Sequence, residues 1–465
     1  MANSRRKFLK TTAATAAAAT IVPRHVLGGP GFTAPSDQVN VAVIGAGGRG
    51  FQNAQELMKL KGVTITDVVD PAEHWDLKDF YYKGVAGRLP VTEAIDKHYS
   101  TEKRQHKCRH HLDYRKFFDS DDAKDVDAIL CSTPDHLHAL ISLRAMRDGK
   151  HVYCEKPLTH NIAEARLVAK VAKETGVATQ LGNGAHSGKD VRQMVEWVKA
   201  GVIGEVREYH AWVPASRWSP AINGRPKEAM PIPKGLDWDL WLGPREKVDF
   251  HSAYAPVAWR DFWDYGLGAM GDFGCHDLDA AVWALDLPTP ISVEMHPAGF
   301  MDDTIIPHGE LGYFEFPARG DKPPVKITWY SGGPKPPKPE SMKDAELPDR
   351  GVMFVGEKGH IMDRAYSASP LLLEPELREN FKEPAATLAT TNGHYQDWID
   401  AARGGAPASS NFEYGAHLTE ITLLGVVALR VGKKIEWDQE SMSVTNSNEA
   451  DRIIKGTYRP GWELK

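Results

Sequence analysis

Asp272 and His276 stand four residues apart in the run Gly266 to Asp279, and Asp279 follows three residues later. On a helix this spacing puts Asp272 and His276 on one face with Asp279 beside them. Leu278, Ala281, Val282 and Leu285 then form the opposite, core-facing stripe. A carboxylate and an imidazole next to a lysine suit removal of a hydroxyl proton while a hydride leaves the same carbon. The same residues also suit a helix cap and a buried histidine. A metal triad of Asp272, His276 and Asp279 is a third reading, disfavoured because the three crowd one short stretch. The lysine in question is Lys156, within Cys154-Glu155-Lys156-Pro157-Leu158.

The elements that must position such a group begin with Val39 to Ile44, a β-branched run that ends in Gly45-Ala46-Gly47-Gly48-Arg49-Gly50. Phe51 to Leu60 then reads as helix. A strand, a glycine turn and a helix are what a dinucleotide pyrophosphate needs: Gly45 for the turn, Gly47 for close backbone approach, Gly50 for helix–strand packing. The helix N-terminus adds unpaired N–H groups and a positive dipole end. Val63 to Val69 is a second buried strand, ending at Asp70, 20 residues after Gly50. A carboxylate there can accept from the adenosine ribose hydroxyls and would repel a 2′-phosphate, which favours NAD over NADP. Asp70 also fits a plain Asp-Pro turn. Further strands at Asp125 to Cys131, His151 to Cys154 and Val177 to Leu181 alternate with helices at Leu137 to Arg147 and Ile162 to Glu174. Thr133 or Asp135 is positioned to cap the first of these helices. Gly50, Asp70, Thr133 and Lys156 all fall at or just beyond strand ends, where a doubly wound parallel sheet holds its ligand.

The chain has 465 residues, 42% hydrophobic and 25% charged, and a formal net charge of −6. All five charges of the first 28 residues (Arg5, Arg6, Lys7, Lys10, Arg24) are basic, so the remainder is more acidic still. That balance argues against nucleic acid or an anionic membrane as main partner. The four cysteines form no CxxC pair, which makes a disulfide scaffold or structural zinc site unexpected, and no metal is expected elsewhere. No run reaches the length of a membrane span. Ser4-Arg5-Arg6-Lys7-Phe8-Leu9-Lys10, followed by the Ala/Thr-rich run to Val22, resembles a twin-arginine export signal, with possible cleavage after Gly28. This implies a periplasmic or otherwise exported protein that meets the Tat translocase folded and loads its cofactor beforehand.

Residues 1–36 thus read as signal and linker, 37–182 as a dinucleotide-binding Rossmann domain, and 183–465 as a substrate-binding α/β domain. In the last, Asp190 to Ala200 is a helix and Val206 to Val213 alternates as a half-exposed strand. Strands at Ile291 to Met295, Gly312 to Phe316, Val325 to Tyr330 and Gly351 to Gly356 fit a large, open, mainly antiparallel sheet, and His394 to Arg403 and Phe412 to Val431 are closing helices. Trp238, Trp259 and Trp263 are candidates either for sugar-stacking faces or for aromatic core. Lys97 to His111 reads as a basic, histidine-rich solvated face.

Taken together, GAGGRG at 45–50, Asp70, TPDHLH at 133–138, CEKPL at 154–158, LDWDLWLGP at 236–244 and GDFGCHDLD at 271–279 resemble the Gfo/Idh/MocA oxidoreductases. The resemblance implies a Rossmann domain followed by an α/β domain that holds a sugar, inositol or related carbohydrate against NAD, or NADP. It places Lys156 on the reacting oxygen, His276 as proton acceptor or donor, and Asp272 as the group that positions substrate or tunes His276. It places Gly45, Gly47, Gly48, Arg49, Gly50, Asp70, Thr133, Pro134, His138 and Glu155 around the cofactor. Homo-oligomers through the open sheet face are a further family expectation. Export leaves a dehydrogenase without a soluble cofactor pool. A tightly bound NAD that is recycled by a second sugar, or that returns its hydride within one turnover as in a glycosidase, lyase or epimerase, resolves this. A sugar-binding protein retaining cofactor for structure alone is the remaining class.

Overall fold

The computed structural model describes residues 37–343, 345–364 and 370–464; residues 1–36, on which the expectation of a twin-arginine signal and linker falls, lie outside the described residues. The first unit is a six-stranded parallel sheet. Its strands are β1 (Val39–Ile44), β2 (Val63–Val69), β5 (Arg109–His111), β6 (Ala128–Cys131), β7 (His151–Cys154) and β8 (Thr179–Leu181), in the order β5-β2-β1-β6-β7-β8. A small hairpin, β3 (Trp75–Asp76) with β4 (Val85–Ala86), follows β2. The strands run β-branched and are buried on both faces, as a sheet covered by helices on each side requires. Those helices are α1 (Gly48–Met58), α2 (Arg88–Tyr99), α3 (Tyr114–Phe118), α4 (Asp135–Arg147) and α5 (Ile162–Thr175). Asn161 caps α5 in a capping box with Glu164, and Gly176 ends it in the left-handed region.

In-register pairing aligns the strand ends: Ile44 faces Val69 and Cys131, and Cys131 faces Cys154. The residues after each strand, Gly45, Asp70, Ser132 and Glu155, are thereby brought to one edge, the carboxyl ends at which such sheets bind ligands. Residues 109–111 depart from the solvated reading of their histidine-rich stretch. They form the edge strand β5, and Arg109 and His111 bond the fully buried carboxylate of Asp67 at 2.8 Å.

Beyond α6 (Lys189–Lys199) comes a nine-stranded mixed sheet. Strands β9 (Val206–Val213), β10 (Ser292–Ala298), β11 (Gly309–Phe316), β12 (Val325–Ser331), β13 (Gly351–Gly356), β14 (Gly359–Asp363), β15 (Leu371–Leu372), β16 (Ile435–Asp438) and β17 (Ser443–Val444) pair in the order β15-β14-β13-β9-β12-β11-β10-β16-β17. All neighbours are antiparallel except β9 with β12. The run 268–285 is not one helix: it breaks at Leu278 into α7 (Gly268–Asp277) and α8 (Asp279–Leu285). The last long helices are α9 (His394–Ala402) and α10 (Phe412–Val431). Helix α10 lies against both α5 and α7, so the strand-end loops and α7 share one core. Each fully buried Leu, Ile or Phe in it contributes about 1.5–3 kcal/mol by leaving water. Among the described residues no helix is long and apolar enough to cross a membrane.

Candidate active site

The turn between β1 and α1 is built from glycines for three different reasons. Gly45 has φ +90°, and a Cβ there would come within 2.6 Å of the Ser132–Thr133 backbone. A Cβ on Gly50 would lie 1.9 Å from the Gly45 carbonyl oxygen, so only glycine lets α1 leave the strand at this angle. Gly47 has nothing within 4 Å of a Cβ position and caps α1 without a side-chain hydrogen bond, leaving first-turn N–H groups for an anion. Asp70 is buried and already holds the turn: its carboxylate accepts from Ala46 N–H at 2.7 Å, Ala72 N–H at 2.8 Å and the Trp75 indole at 3.2 Å. Burial outweighs these donors and lifts its pKa to about 6. Its Oδ2, with one bond accepted, keeps capacity for a ribose hydroxyl. These residues fit a dinucleotide.

Gly45, Gly47, Gly48, Arg49, Asp70, Thr133, Pro134, His138 and Glu155 line one cavity of about 510 Å³ together with Lys156, Asp272 and His276. Gly50 sits behind it as a packing residue. The Lys156 ammonium donates to the Asp272 carbonyl at 2.6 Å and to the Asp272 carboxylate. Arg260 Nε faces the other carboxylate oxygen at 3.5 Å. Although burial works against ionisation, the cations Lys156 and Arg260 hold the Asp272 carboxyl below its ordinary range. Burial, with Lys156 and Arg350 nearby, keeps the His276 imidazole well below its usual pKa. The cavity therefore presents a charged donor and a neutral imidazole acceptor, the pair that deprotonating an alcohol requires.

Sequence reasoning missed several wall residues. Asp135, buried on the first turn of α4, has its carboxyl raised to about 8, by burial first and by Asp272 next, against Arg260 and Lys156. No side chain caps α4, contrary to the expectation for Thr133 and Asp135; the cap is Pro134. Arg260, Arg350 and Tyr82 were also missed. Tyr82 lies over the turn so closely that a Cβ on Gly48 would fall 2.2 Å from its ring. Nothing local marked Arg260, Arg350 and Tyr82, because the chain brings them in from distant segments, and Asp135, although it stands in the run 133–138, read there only as a cap. His138 braces the site: its nitrogens face the carbonyls of Pro157 at 2.7 Å and Thr133 at 2.9 Å, and burial lowers its pKa to about 4.

Other expectations fail on geometry. Asp279 does not join Asp272 and His276; across the helix break it bonds His186 at 3.0 Å and Tyr414. Of the three tryptophans, Trp238 and Trp263 take the core reading at 6% and 3% exposed, Trp238 stacked on Trp241, whereas Trp259, also 6% exposed, lines the cavity of Lys156 and His276 with Arg260 over its ring at 4.1 Å. The free cysteines are all buried. Cys131, His138 and Cys154 bring three donor atoms together, as do Asp67, His111 and Asp122, although Arg109 occupies the Asp67 carboxylate with two hydrogen bonds. A wider cleft of about 980 Å³ beside Arg225 and Trp238 holds none of the reactive groups.

Residues 39–183 match the NAD-binding Rossmann fold of the GFO_IDH_MocA oxidoreductase family, and residues 188–313 match the C-terminal α/β domain of the same family. The chain is 27% identical over 233 residues to a glycosyl hydrolase family 109 protein of Shewanella baltica, which aligns with 46% of this chain and 47% of the relative. The chain thus spans about half the length of the curated relatives it matches. Among solved structures it is similar to the WlbA dehydrogenase of Bordetella pertussis in complex with NADH and UDP-GlcNAcA, with TM-score 0.57, 14% identity, and coverage of 86% of this chain and 99% of that one. It is also similar to the aldose-aldose oxidoreductase of Caulobacter crescentus complexed with glycerol, with TM-score 0.55, 17% identity, and coverage of 86% and 100%. At these identities the likeness is one of fold.

Proposed function

We propose, from the premise that this chain belongs to the Gfo/Idh/MocA oxidoreductase family, that it oxidises a CH–OH group of a sugar, inositol or sugar derivative with a tightly held NAD. The observation that carries this is the convergence of Lys156, Asp272 and His276 on the cavity that the glycine turn and Asp70 also line. Bound there, NAD would supply a hydride acceptor for the substrate carbon. The chain's own residues supply the rest. Lys156 donates a hydrogen bond to the reacting oxygen and stabilises the charge that grows on it. Neutral His276 takes the hydroxyl proton, and in the reverse direction returns it. Asp272, held between Lys156 and Arg260, fixes the ammonium in place. Tyr82 and the buried wall exclude water, which strengthens each of these interactions.

The leader-like Ser4 to Lys10 supports export through the twin-arginine route with cofactor already loaded. Outside the cytoplasm, each turnover must regenerate the bound cofactor, either through a second sugar or by return of the same hydride. The glycosyl hydrolase family 109 relatives favour the second possibility, a redox-neutral cleavage begun by oxidation beside a glycosidic bond.

The test is to purify the full chain, release and identify its nucleotide, and offer it a panel of sugars and glycosides. Reduction of bound NAD by one sugar and reoxidation by another supports net oxidoreduction. Glycoside cleavage with no net change of cofactor supports the redox-neutral route, and absence of any nucleotide removes both.

A further inference from the structure

Tyr81 and Trp218 are half-exposed, at 54% and 41%, and line the mouth of the cavity that holds Lys156 and His276. Their rings lie offset-stacked, 6.0 Å between centroids and 26° between planes. Tyr81 comes from the β3–β4 hairpin of the first unit and Trp218 from the Pro/Gly-rich loop after β9, so the pair bridges the mouth from two sides. The N–H groups of Trp218 and Ser219 donate to the two carboxylate oxygens of Asp261 at 2.9 and 2.7 Å, and Asp261 is fully buried. Arg217, buried beside them, donates to the carbonyls of Ile306, Ile222 and Phe300. Tyr81 is backed by Tyr82 at 3.9 Å between centroids, and Tyr82 rests on the glycine turn. Two large aromatics that face water, one on a backbone fixed by buried polar bonds and the other backed by a second ring, form a built surface.

We infer that the Tyr81–Trp218 pair is a stacking platform for a second, uncharged pyranose ring, so that the substrate is a glycoside or oligosaccharide whose reacting sugar lies inside against Lys156. The inference rests on the carbohydrate reading above. A pyranose presents a flat patch of C–H bonds that matches an aromatic face, whereas the reacting ring must lie deeper, where the Lys156 side chain is only 11% exposed. The charges lining the cavity argue for a neutral extension. Lys156 and Arg260 are answered by Asp272, Arg350 by Asp277, and Arg49 faces Glu155 at 4.0 Å. A nucleotide-sugar would set its diphosphate among cations that already have carboxylate partners.

The experiment measures reduction of the bound nicotinamide by matched probes: glucose against cellobiose and maltose, galactose against lactose, and UDP-glucose. Quenching of tryptophan fluorescence by the same probes is read in parallel. The expected result is a lower half-saturating concentration for a disaccharide than for its monosaccharide in the rate of that single reduction. Trp218→Ala and Tyr81→Ala should raise the half-saturating disaccharide concentration about tenfold and leave that of the monosaccharide and both limiting rates in place. Trp218→Phe, which keeps a ring, should restore most of the difference. Equal loss on both sugars, no loss on either, or a preference for UDP-glucose overturns the platform. If no sugar reduces the nucleotide but a disaccharide quenches wild-type fluorescence and not that of Trp218→Ala, the oxidoreductase reading fails and the platform stands. If neither signal moves, both fail.

Discussion

The Lys156 ammonium, at the end of β7, donates to both the carbonyl and the carboxylate of Asp272 on α7, 116 residues further along the chain. One ion pair therefore ties the loop beside the nucleotide turn to the helix that carries His276, and fixes the spacing of donor and acceptor across the cavity.

Removing the ammonium should abolish chemistry and spare cofactor binding. Lys156→Ala is expected to lower kcat by roughly 10²–10⁴-fold, the combined worth of a charged donor and its alignment. Nucleotide content, read by absorbance after denaturation, should stay at the wild-type level. Loss of nucleotide in this variant would make Lys156 a cofactor residue instead.

The glycine turn should behave the opposite way. Gly50→Ala forces a Cβ to 1.9 Å from the Gly45 carbonyl oxygen, so α1 must shift. We expect purified protein with little nucleotide and a lower thermal midpoint, a destabilisation of about 2 kcal/mol or more. Full nucleotide occupancy in Gly50→Ala would contradict the assigned role of this turn.

Asp135 gives a pH signature. With its carboxyl raised to about 8 by burial and by Asp272, it is neutral at pH 7 and ionises as pH passes 8. The new negative charge weakens the effect of Lys156 on the reacting oxygen, so kcat should fall above pH 8. Asp135→Asn, which cannot ionise, should flatten that limb while retaining activity at pH 7. An unchanged limb in the variant would remove Asp135 from the site's electrostatics.

Stability should be greatest near pH 6.5. Burial lowers His136 to about 3, His138 and His394 to about 4, and His160 and His276 well below the ordinary 6.5. Below pH 6.5 the unfolded chain gains protons that these folded histidines refuse, so stability falls with falling pH. Burial raises Asp70 to about 6, Glu310 to about 7 and Asp135 to about 8. These folded carboxyls hold protons that the unfolded chain loses from about pH 4 upward, so they lower stability progressively until pH passes about 6, 7 and 8 in turn. The five histidines outweigh them below pH 6.5, and above it Glu310 and Asp135 still lower stability. Thermal midpoints across pH 4.5–9 would check this, and a flat or monotonic profile would contradict it.

What was legible in the sequence was whatever the chain writes locally. Gly45, Gly47 and Gly50 with Asp70 are a short-range pattern, because a tight turn needs small residues at fixed offsets and the next strand end is about 20 residues on. The four-residue step from Asp272 to His276 likewise survives folding, since both lie on α7. Asp279 was misplaced because the helix breaks at Leu278, and no proline or glycine in His276-Asp277-Leu278-Asp279 marks a break. Trp238 and Trp259 were open between core and surface because composition cannot tell which tryptophan a loop will cover, and the exposed one proved to be Trp218. Arg260 and Asp135 acquire meaning only from each other and from Asp272, across 125 and 137 residues. Such long-range electrostatic partners leave no periodic trace.

The central claim is that sugar oxidation occurs against a nucleotide that the protein already holds. It is tested most directly by one single-turnover measurement: nicotinamide absorbance of the purified full-length protein, without added cofactor, on mixing with the reducing sugar or glycoside found in the panel. The account predicts reduction of the bound nicotinamide in the wild type, lasting and approaching one per chain where a second sugar must reoxidise it, and transient where the same hydride returns. In His276→Asn, at equal nucleotide content, it predicts a rate lowered by roughly 10²-fold or more. Nucleotide that shows neither lasting nor transient reduction with any sugar or glycoside, or a His276→Asn rate equal to that of the wild type, would contradict it.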